Sequence, residues 1–330
     1  MLAPNGQRSA RQISVWCYLE ESMGETIWAV IPTFNRRELL RECIRAVLGQ
    51  TRPPDVVWVR DNASQDGTAE MVRQEFPRVR LVRGKNNLGS SGGFAEGLRA
   101  GYEGGADWIW LVDNDAVPQP DALEKLLEAQ RRLENSGYRV GALGSIALWT
   151  DGKPHPMNHT PPDWKRLHLR HRLAQLGCQP QRWSSFVSVL VPSRVVERYG
   201  LPYYSFFTWN DDLEYFGRIA RGELVVFVRD SVVVHKTKTP YIAALSIGER
   251  YFYEVRNRIW VLRGDAFHWL EKVWLFLNIL GQIPVYLWRN RLPGWKVVLR
   301  GIEEGLHTLP SETVAVGARI EAEPIVLARR

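Results

Sequence analysis

Cysteine is scarce in this 330-residue chain. Cys17, Cys43 and Cys178 are odd in number, far apart and in no C-x-x-C pair, which argues against a disulfide framework or a zinc site. Long apolar runs are missing as well. The strongest, residues 273–288, falls short of the roughly 20 residues a spanning helix needs and contains Asn278, Gln282 and Pro284. Residues 1–26 hold Arg8, Arg11, Glu20, Glu21 and Glu25 but none of the apolar stretch that a signal peptide carries. No internal repeat is present, which sets aside solenoids and propellers. The expectation is a cytoplasmic protein whose membrane contact is limited to the surface.

Ordinary globular material is there instead. Apolar residues make up 45% and charged residues 24%, enough for a core and wrong for a disordered or fibrous chain. Lys and Arg number 43 against 36 Asp and Glu, a net charge of +7 that points to an anionic partner: a nucleotide, a nucleic acid or an anionic lipid. The length suits one large domain with an appendage, or two unequal domains. Over residues 27–135, short apolar strand-like runs (27–31, 56–59, 80–82 and 108–112) alternate with helix-like segments. In the first of these, Leu40, Cys43, Ile44, Val47 and Leu48 recur at helical spacing, with Asn35 expected as the N-cap and Glu38 three residues on. Such a rhythm predicts a parallel sheet covered on both faces.

The second half is less regular. Residues 140–148 and 186–191 read as strands, and 223–228 and 232–235 as two more, with a loop rich in Pro, His and Arg between 151 and 182. The expected organisation is an extension over 1–26, an α/β domain over 27–240, a helical, aromatic region over 241–310 and a tail over 311–330. Met23 is expected as the true start, with residues 13–19 as the competing reading, an extra strand.

Open α/β sheets bind ligands at the carboxyl ends of their strands. Polar residues collect there in this chain: Thr33, Asn35 and Arg36 after the first strand, Asp61, Asn62 and Ser64 after the second, residues 86–93 after the third, and Asp113 and Asp115 after the fourth. Any one alone is a turn sequence; four together are a candidate site. Two carboxylates one residue apart at the end of a buried strand repel unless a cation or bound hydroxyls stabilise them, and hard divalent cations favour carboxylate and phosphate oxygens. A second acidic cluster, Asp211, Asp212 and Glu214, follows Phe206, Phe207 and Trp209. It suits a general base beside a sugar acceptor, or merely the start of a helix. His235 ends a run of three valines and is a candidate third metal contact.

These pieces resemble the inverting, metal-dependent nucleotide-sugar glycosyltransferases of family 2. The resemblance rests on Pro32–Arg36, on Asp61-Asn62-Ala63-Ser64 with Asp66-Gly67-Thr68, and on Asn87-Leu88-Gly89 through Phe94. It continues in Asp113-Asn114-Asp115, Asp211-Asp212-Leu213-Glu214 and the Val-Val-Val-His235 end. It implies a GT-A fold, an α/β domain with a mainly parallel central sheet followed by a C-terminal helical region. Residue by residue, it implies that Thr33, Asn35 and Arg36 line the diphosphate pocket. Asp61 would meet the base, Asn87 and Gly89 would lie by the ribose or diphosphate, and Asn114 would border the donor. Asp113, Asp115 and His235 would hold Mn²⁺ or Mg²⁺. Asp212 would be the general base, with Asp211 and Trp209 on the acceptor side. Asn114 departs from the family, many of whose members carry Asp there. The loop at Asn87 and the segment Tyr251-Phe252-Tyr253-Glu254-Val255-Arg256-Asn257 resemble the galactofuranosyl- and rhamnosyltransferase branch. Expected partners are a nucleotide-diphospho-sugar and a glycan or lipid-linked acceptor, without nucleic acid, and with a second copy of the chain as a further candidate.

Rival readings make different demands. A nicotinamide dehydrogenase needs G-x-G-x-x-G after the first strand, where this chain has Pro-Thr-Phe-Asn-Arg. A basic nucleic-acid- or nucleotide-binding protein fits the charge and the tryptophans but not acids at the strand ends. Between Tyr251 and Arg300, eight Lys/Arg face three acids among Trp260, Trp269, Trp274, Trp288 and Trp295. That composition predicts an interfacial helical surface, or packing on the catalytic domain or a partner copy.

Overall fold

The computed structural model describes residues 24–158, 160–239, 245 and 248–311. The start expected at Met23, the strand expected at 13–19 and all but the first residue of the tail lie outside them. Strands β1 (Ile27–Thr33), β2 (Val56–Asp61), β3 (Arg80–Arg83) and β4 (Trp108–Val112) alternate with helices α1 (Arg37–Leu48), α2 (Thr68–Glu75) and α3 (Gly89–Glu103). All four strands pair in parallel, β3-β2-β1-β4, as apolar strands joined by helical crossovers must.

After β4 the chain turns into the short β5 (Ala116–Pro118), then α4 (Ala122–Asn135), β6 (Val140–Leu148), α5 (Arg170–Gln175), β7 (Cys178–Pro180), β8 (Ser188–Pro192), α6 (Arg194–Tyr199), α7 (Asp211–Ile219) and β9 (Leu224–His235). The sheet continues β4-β8-β6-β9-β5, with β7 on β9. β6 and β9 are parallel, and β8, β5 and β7 pair antiparallel. One face packs Leu40, Ile44 and Val47 of α1, Met71 of α2 and Leu123 and Leu126 of α4; the other packs Phe94 and Leu98 of α3 with Tyr215 and Phe216 of α7. Cys43 and Cys178 are buried and free.

Three local expectations are corrected. Asn35 does not cap α1: Arg36 occupies that position without a side-chain bond. Asn35 instead has φ 50° and accepts from Gln65 N through Oδ1 at 2.8 Å, while Asp66 receives Arg37 N at 3.0 Å. The Gly- and Ser-rich stretch after Leu88, which the sequence suggests as a turn between the third strand and the next helix, forms the first turns of α3 instead. A Cβ on Gly97 would lie 2.1 Å from Val30 Cγ1, so this helix lies closer to the sheet than side chains allow. The two strands expected near 223–235 are one strand, its register to β6 shifting between Val228 and Val232.

Helices α8 (Tyr251–Arg263) and α9 (Trp269–His307) follow. Arg291 (φ 48°, ψ −141°) breaks α9 into two halves. Leu275 packs in the cluster of Trp260 and Val261, Tyr286 stacks on Tyr251 at 4.0 Å, and Thr308 receives a bond from Trp260 Nε1. The first half therefore runs against α8 and the second along it. Trp260 is buried, with the Arg256 guanidinium 4.2 Å from its ring, so it is no part of an interfacial surface. Arg256 and Arg258 are buried too, paired with Glu304 and Glu254. Among the described residues, no helix is long and apolar enough to cross a membrane.

Candidate active site

Asp113, Asn114 and Asp115 form the tight link between β4 and β5, closed by Ala116 N donating to Asp113 O at 3.0 Å. Because Ala116 pairs with His235 across β5 and β9, sheet register sets His235 beside Asp115. His235 Nε2 lies 3.3 Å from Asp115 Oδ1. Its Nδ1 meets Asn158 Oδ1 at 2.9 Å, a bond that orients the ring and leaves Nε2 toward the carboxylates. One ligand atom from each of Asp113, Asp115 and His235 falls within 4.8 Å of the others.

The electrostatics of this corner favour a cation. Burial, then the neighbouring charge of Asp115, pushes the Asp113 carboxyl up to about 7. Burial also opposes the charge on Asp115, but the His235 contact overrides it and holds Asp115 below the usual range. Burial opposes the charge on His235, yet Asp115 and Asp113 raise it. Two carboxylates and an imidazole suit Mn²⁺ or Mg²⁺, whose charge would displace the protons that otherwise relieve the repulsion. Arg36 Nη1 lies 3.5 Å from Asp115 Oδ2 at the rim. Asn114 turns inward, its Nδ2 donating to Pro32 O at 2.9 Å. That bond needs an amide, which gives this position's departure from Asp a structural reason.

Beside the corner, the ends of β1 and β2 carry unmatched polar atoms. Thr33 and Asp61 are register partners, and Asn62 N donates to Thr33 O. Thr33 Oγ1, Asp61 Oδ2 and Asn62 Oδ1 are buried without a hydrogen-bond partner. Such groups are rare in folded proteins, and Thr33 Oγ1 and Asn62 Oδ1 at adjoining strand ends, with Asp61 Oδ2 facing only the Arg83 guanidinium, suit a polar ligand. Asp61 Oδ1 accepts from Ser64 N at 2.9 Å, and Arg83 Nε stands 3.5 Å from Oδ2. Asn87 Oδ1 receives Gly89 N at 2.8 Å, so this side chain sets the start of α3. Gly89 (φ +71°) touches the acid loop: a Cβ there would lie 1.9 Å from Phe207 O.

That acid loop is held under strain. Phe207, Trp209 and Asn210 have φ of 65°, 63° and 63°, a region costly for side chains of their size. The restraint comes from α8. Asn257 Nδ2 shares its hydrogens among the carbonyls of Phe206 (2.9 Å), Thr208 (2.9 Å) and Trp209 (2.8 Å). Arg256 Nη2 reaches Ser205 O at 2.8 Å, and Glu254 accepts Asn210 Nδ2 at 2.8 Å and Arg258 Nη2 at 2.7 Å. Arg250 stacks 4.6 Å from the Trp209 ring, which takes one surface of that candidate sugar platform.

Asp211 and Asp212 follow at the start of α7. Asp211 is buried with Oδ2 unpartnered, while Asp212 is half-buried and accepts Leu213 N at 2.7 Å. Burial raises Asp211 to about 6. Burial, then Asp211, raises Asp212 well above the usual carboxylate range, and Asp113 adds to it. The two acidic clusters, far apart in sequence, thus lie close enough for each to raise the other's proton affinity.

The structure brings the strand-end residues and both acidic clusters to one edge of the sheet. Sequence reasoning missed Asn158, Glu254 and Asn257. Asn158 sits in an irregular loop with no pattern to flag it. Glu254 and Asn257 belong to a segment noted for its resemblance but given no task.

The glycosyl transferase family 2 profile matches residues 28–183. Galactofuranosyltransferase GlfT1 of Mycolicibacterium smegmatis is 30% identical over 210 residues, 61% of this chain and 67% of that protein. N-acetylglucosaminyl-diphospho-decaprenol L-rhamnosyltransferase of Mycobacterium tuberculosis is 25% identical over 240 residues, 64% of this chain and 76% of that protein. The mannosyltransferase PcManGT of Pyrobaculum calidifontis, solved with GDP-Man and Mn²⁺, shares the fold at a TM-score of 0.50. Its identity is 16%, over 90% of this chain and 88% of that one.

Proposed function

The chain belongs to glycosyl transferase family 2, and from that premise we propose an inverting transfer of a sugar from a nucleoside-diphosphate donor to a hydroxyl of a glycan or lipid-linked acceptor. The observation that carries this reading is the meeting of the Asp113, Asp115 and His235 corner with the unmatched Thr33, Asp61 and Asn62 atoms. The first trio would hold Mn²⁺ or Mg²⁺. When bound, the cation supplies positive charge to the departing diphosphate. Thr33, Asp61 and Asn62 offer a donor and acceptors to the base and ribose, and Arg36 offers charge at the diphosphate rim.

Asp212 takes the acceptor's hydroxyl proton. The freed oxygen attacks the anomeric carbon as the bond to the diphosphate breaks on the opposite side, which inverts the centre. A carboxylate whose proton affinity is raised by burial is a stronger base than an ordinary one. The similarity to the galactofuranosyl- and rhamnosyltransferases supports UDP-galactofuranose or dTDP-rhamnose as the donor and a polyprenyl-linked acceptor at the cytoplasmic membrane face.

A hydrolysis screen over UDP- and dTDP-sugars with Mn²⁺ tests the donor. One sugar nucleotide is expected to be cleaved, and EDTA or Asp115→Ala to abolish it. Full activity in EDTA overturns the metal assignment.

A further inference from the structure

The outer side of α9 carries an apolar ridge that nothing among the described residues covers. Trp269, Val273, Phe276, Leu277, Leu280 and Trp288 recur at helical spacing and are all exposed, Trp269 by 71% and Trp288 by 81%. The facing side, with Leu275, Ile279 and Tyr286, is buried against α8. Helical rise sets Trp269 and Trp288 about 28 Å apart, so aromatic residues bracket an aliphatic centre. A contiguous exposed patch of this kind marks an interaction surface.

A second exposed apolar element lies near the first turn of α9. The 3₁₀ segment Trp164–Leu169 exposes Trp164 by 61% together with Leu167, and carries Lys165 and His168. Pro162 bridges to Gln181, Arg182 N donates to Pro161 O, and the Arg182 guanidinium pairs with Glu271 in the first turn of α9. The segment is thereby tied to the first turn of α9.

Charge chooses the occupant. From Ala266 to Arg300 the only acid is Glu271, and Arg182 already holds it. Arg289, Arg291 and Lys296, which follow Trp288 in the chain, are exposed and pair with no acid among the described residues. In a two-fold interface that brought residues 266–300 of two copies together, cations would far outnumber the one acid of that stretch, which Arg182 already holds. A layer of anionic headgroups supplies the missing countercharge, and exposed tryptophans favour the depth just beneath it.

We propose that this ridge, with the Trp164–Leu169 segment, is a docking surface for an anionic lipid bilayer. The proposal deepens the lipid-linked acceptor reading and rests on it for its purpose. Helix α9 packs on α8, and α8 holds the acid loop, so docking sets the base at a fixed height above the bilayer.

Co-sedimentation of the full chain with phosphatidylglycerol/phosphatidylcholine vesicles, free of acceptor, tests it. Binding is expected at low salt, to fall as salt rises, and to be far weaker on phosphatidylcholine alone. Arg289→Gln and Arg291→Gln should each weaken it about fivefold, equivalent to about 1 kcal/mol per cation. Leu277→Glu with Trp288→Glu should remove it while melting temperature and donor hydrolysis in solution stay unchanged. Equal binding to vesicles with and without phosphatidylglycerol overturns the proposal. So does a dimer that Trp288→Glu dissolves, which would assign the face to a second copy. Vesicle binding without transfer to any lipid-linked acceptor leaves the docking standing and overturns the acceptor reading; donor hydrolysis and transfer without vesicle binding do the reverse.

Discussion

Asp113 and Asp115 leave the end of a buried strand and are aligned with His235 by sheet pairing, whereas Asp211 and Asp212 follow a loop with three left-handed residues that α8 ties down. The first arrangement needs little beyond the sheet. Once β5 pairs with β9, three ligand atoms come together. The second needs groups that arrive later in the chain, above all the Asn257 amide spread over three carbonyls. The site is set by the sheet at the Asp113–Asp115 corner and depends on a borrowed brace at the Asp211–Asp212 loop. Its two halves should therefore fail differently when mutated.

The sharpest separation is expected from Asp212→Asn. The amide keeps the shape but cannot take the proton, so transfer should fall on the order of 10²–10⁴-fold while donor and Mn²⁺ affinities persist. Single-turnover transfer and calorimetric binding measure the two together. If Asp211→Asn is the crippling change and Asp212→Asn is mild, the roles of the two neighbours are exchanged.

Asn257→Ala should come next. It leaves the Phe206, Thr208 and Trp209 carbonyls short of a donor, at about 1–3 kcal/mol per unsatisfied group, and frees a strained loop. The expected result is kcat lower on the order of 10²-fold, through misplacement of the base, with donor KM unchanged. A rise in donor KM instead would show that the brace serves the sheet edge as well.

The smallest effect belongs to the corner's support. Asn158→Ala releases His235 Nδ1 and should weaken Mn²⁺ about 10–100-fold with the acid loop untouched. The same titration has a pH signature. Asp113 holds its proton to about 7, and the neighbouring carboxylates raise His235 from its ordinary value, so in the metal-free protein protons compete with a cation at this corner. Those protons must leave when the cation binds, so Mn²⁺ affinity should rise with pH through that range and level off above it. Calorimetry in buffers of different ionisation heat reads the protons released. A pH-independent affinity near neutrality would remove Asp113 from the ligand set.

How much of this was legible beforehand follows from the same contrast. The β-α alternation, the polar strand ends and both acidic clusters could be read directly, because each is local: an apolar run, then the residues that leave the sheet. His235 was readable as a strand end, but its partner Asp115 depended on which strands pair. The Asn35 cap failed because a tertiary bond from Gln65 claimed its side chain. The basic residues of α8 were read as a surface although two of them are buried ion pairs. Charge counted along a sequence does not say which cations face water.

Sequence alone determined the fold class, the family and the order of the chemistry-bearing residues, since these rest on periodicity and on motifs a few residues long. Only the tertiary structure decided that Asn158 orients His235, that Asn257 and Glu254 hold the acid loop, and that the exposed residues of α9 form one ridge. Each of these rests on residues tens of positions apart, and contacts at that range are set by packing, of which neither partner's local sequence carries a trace.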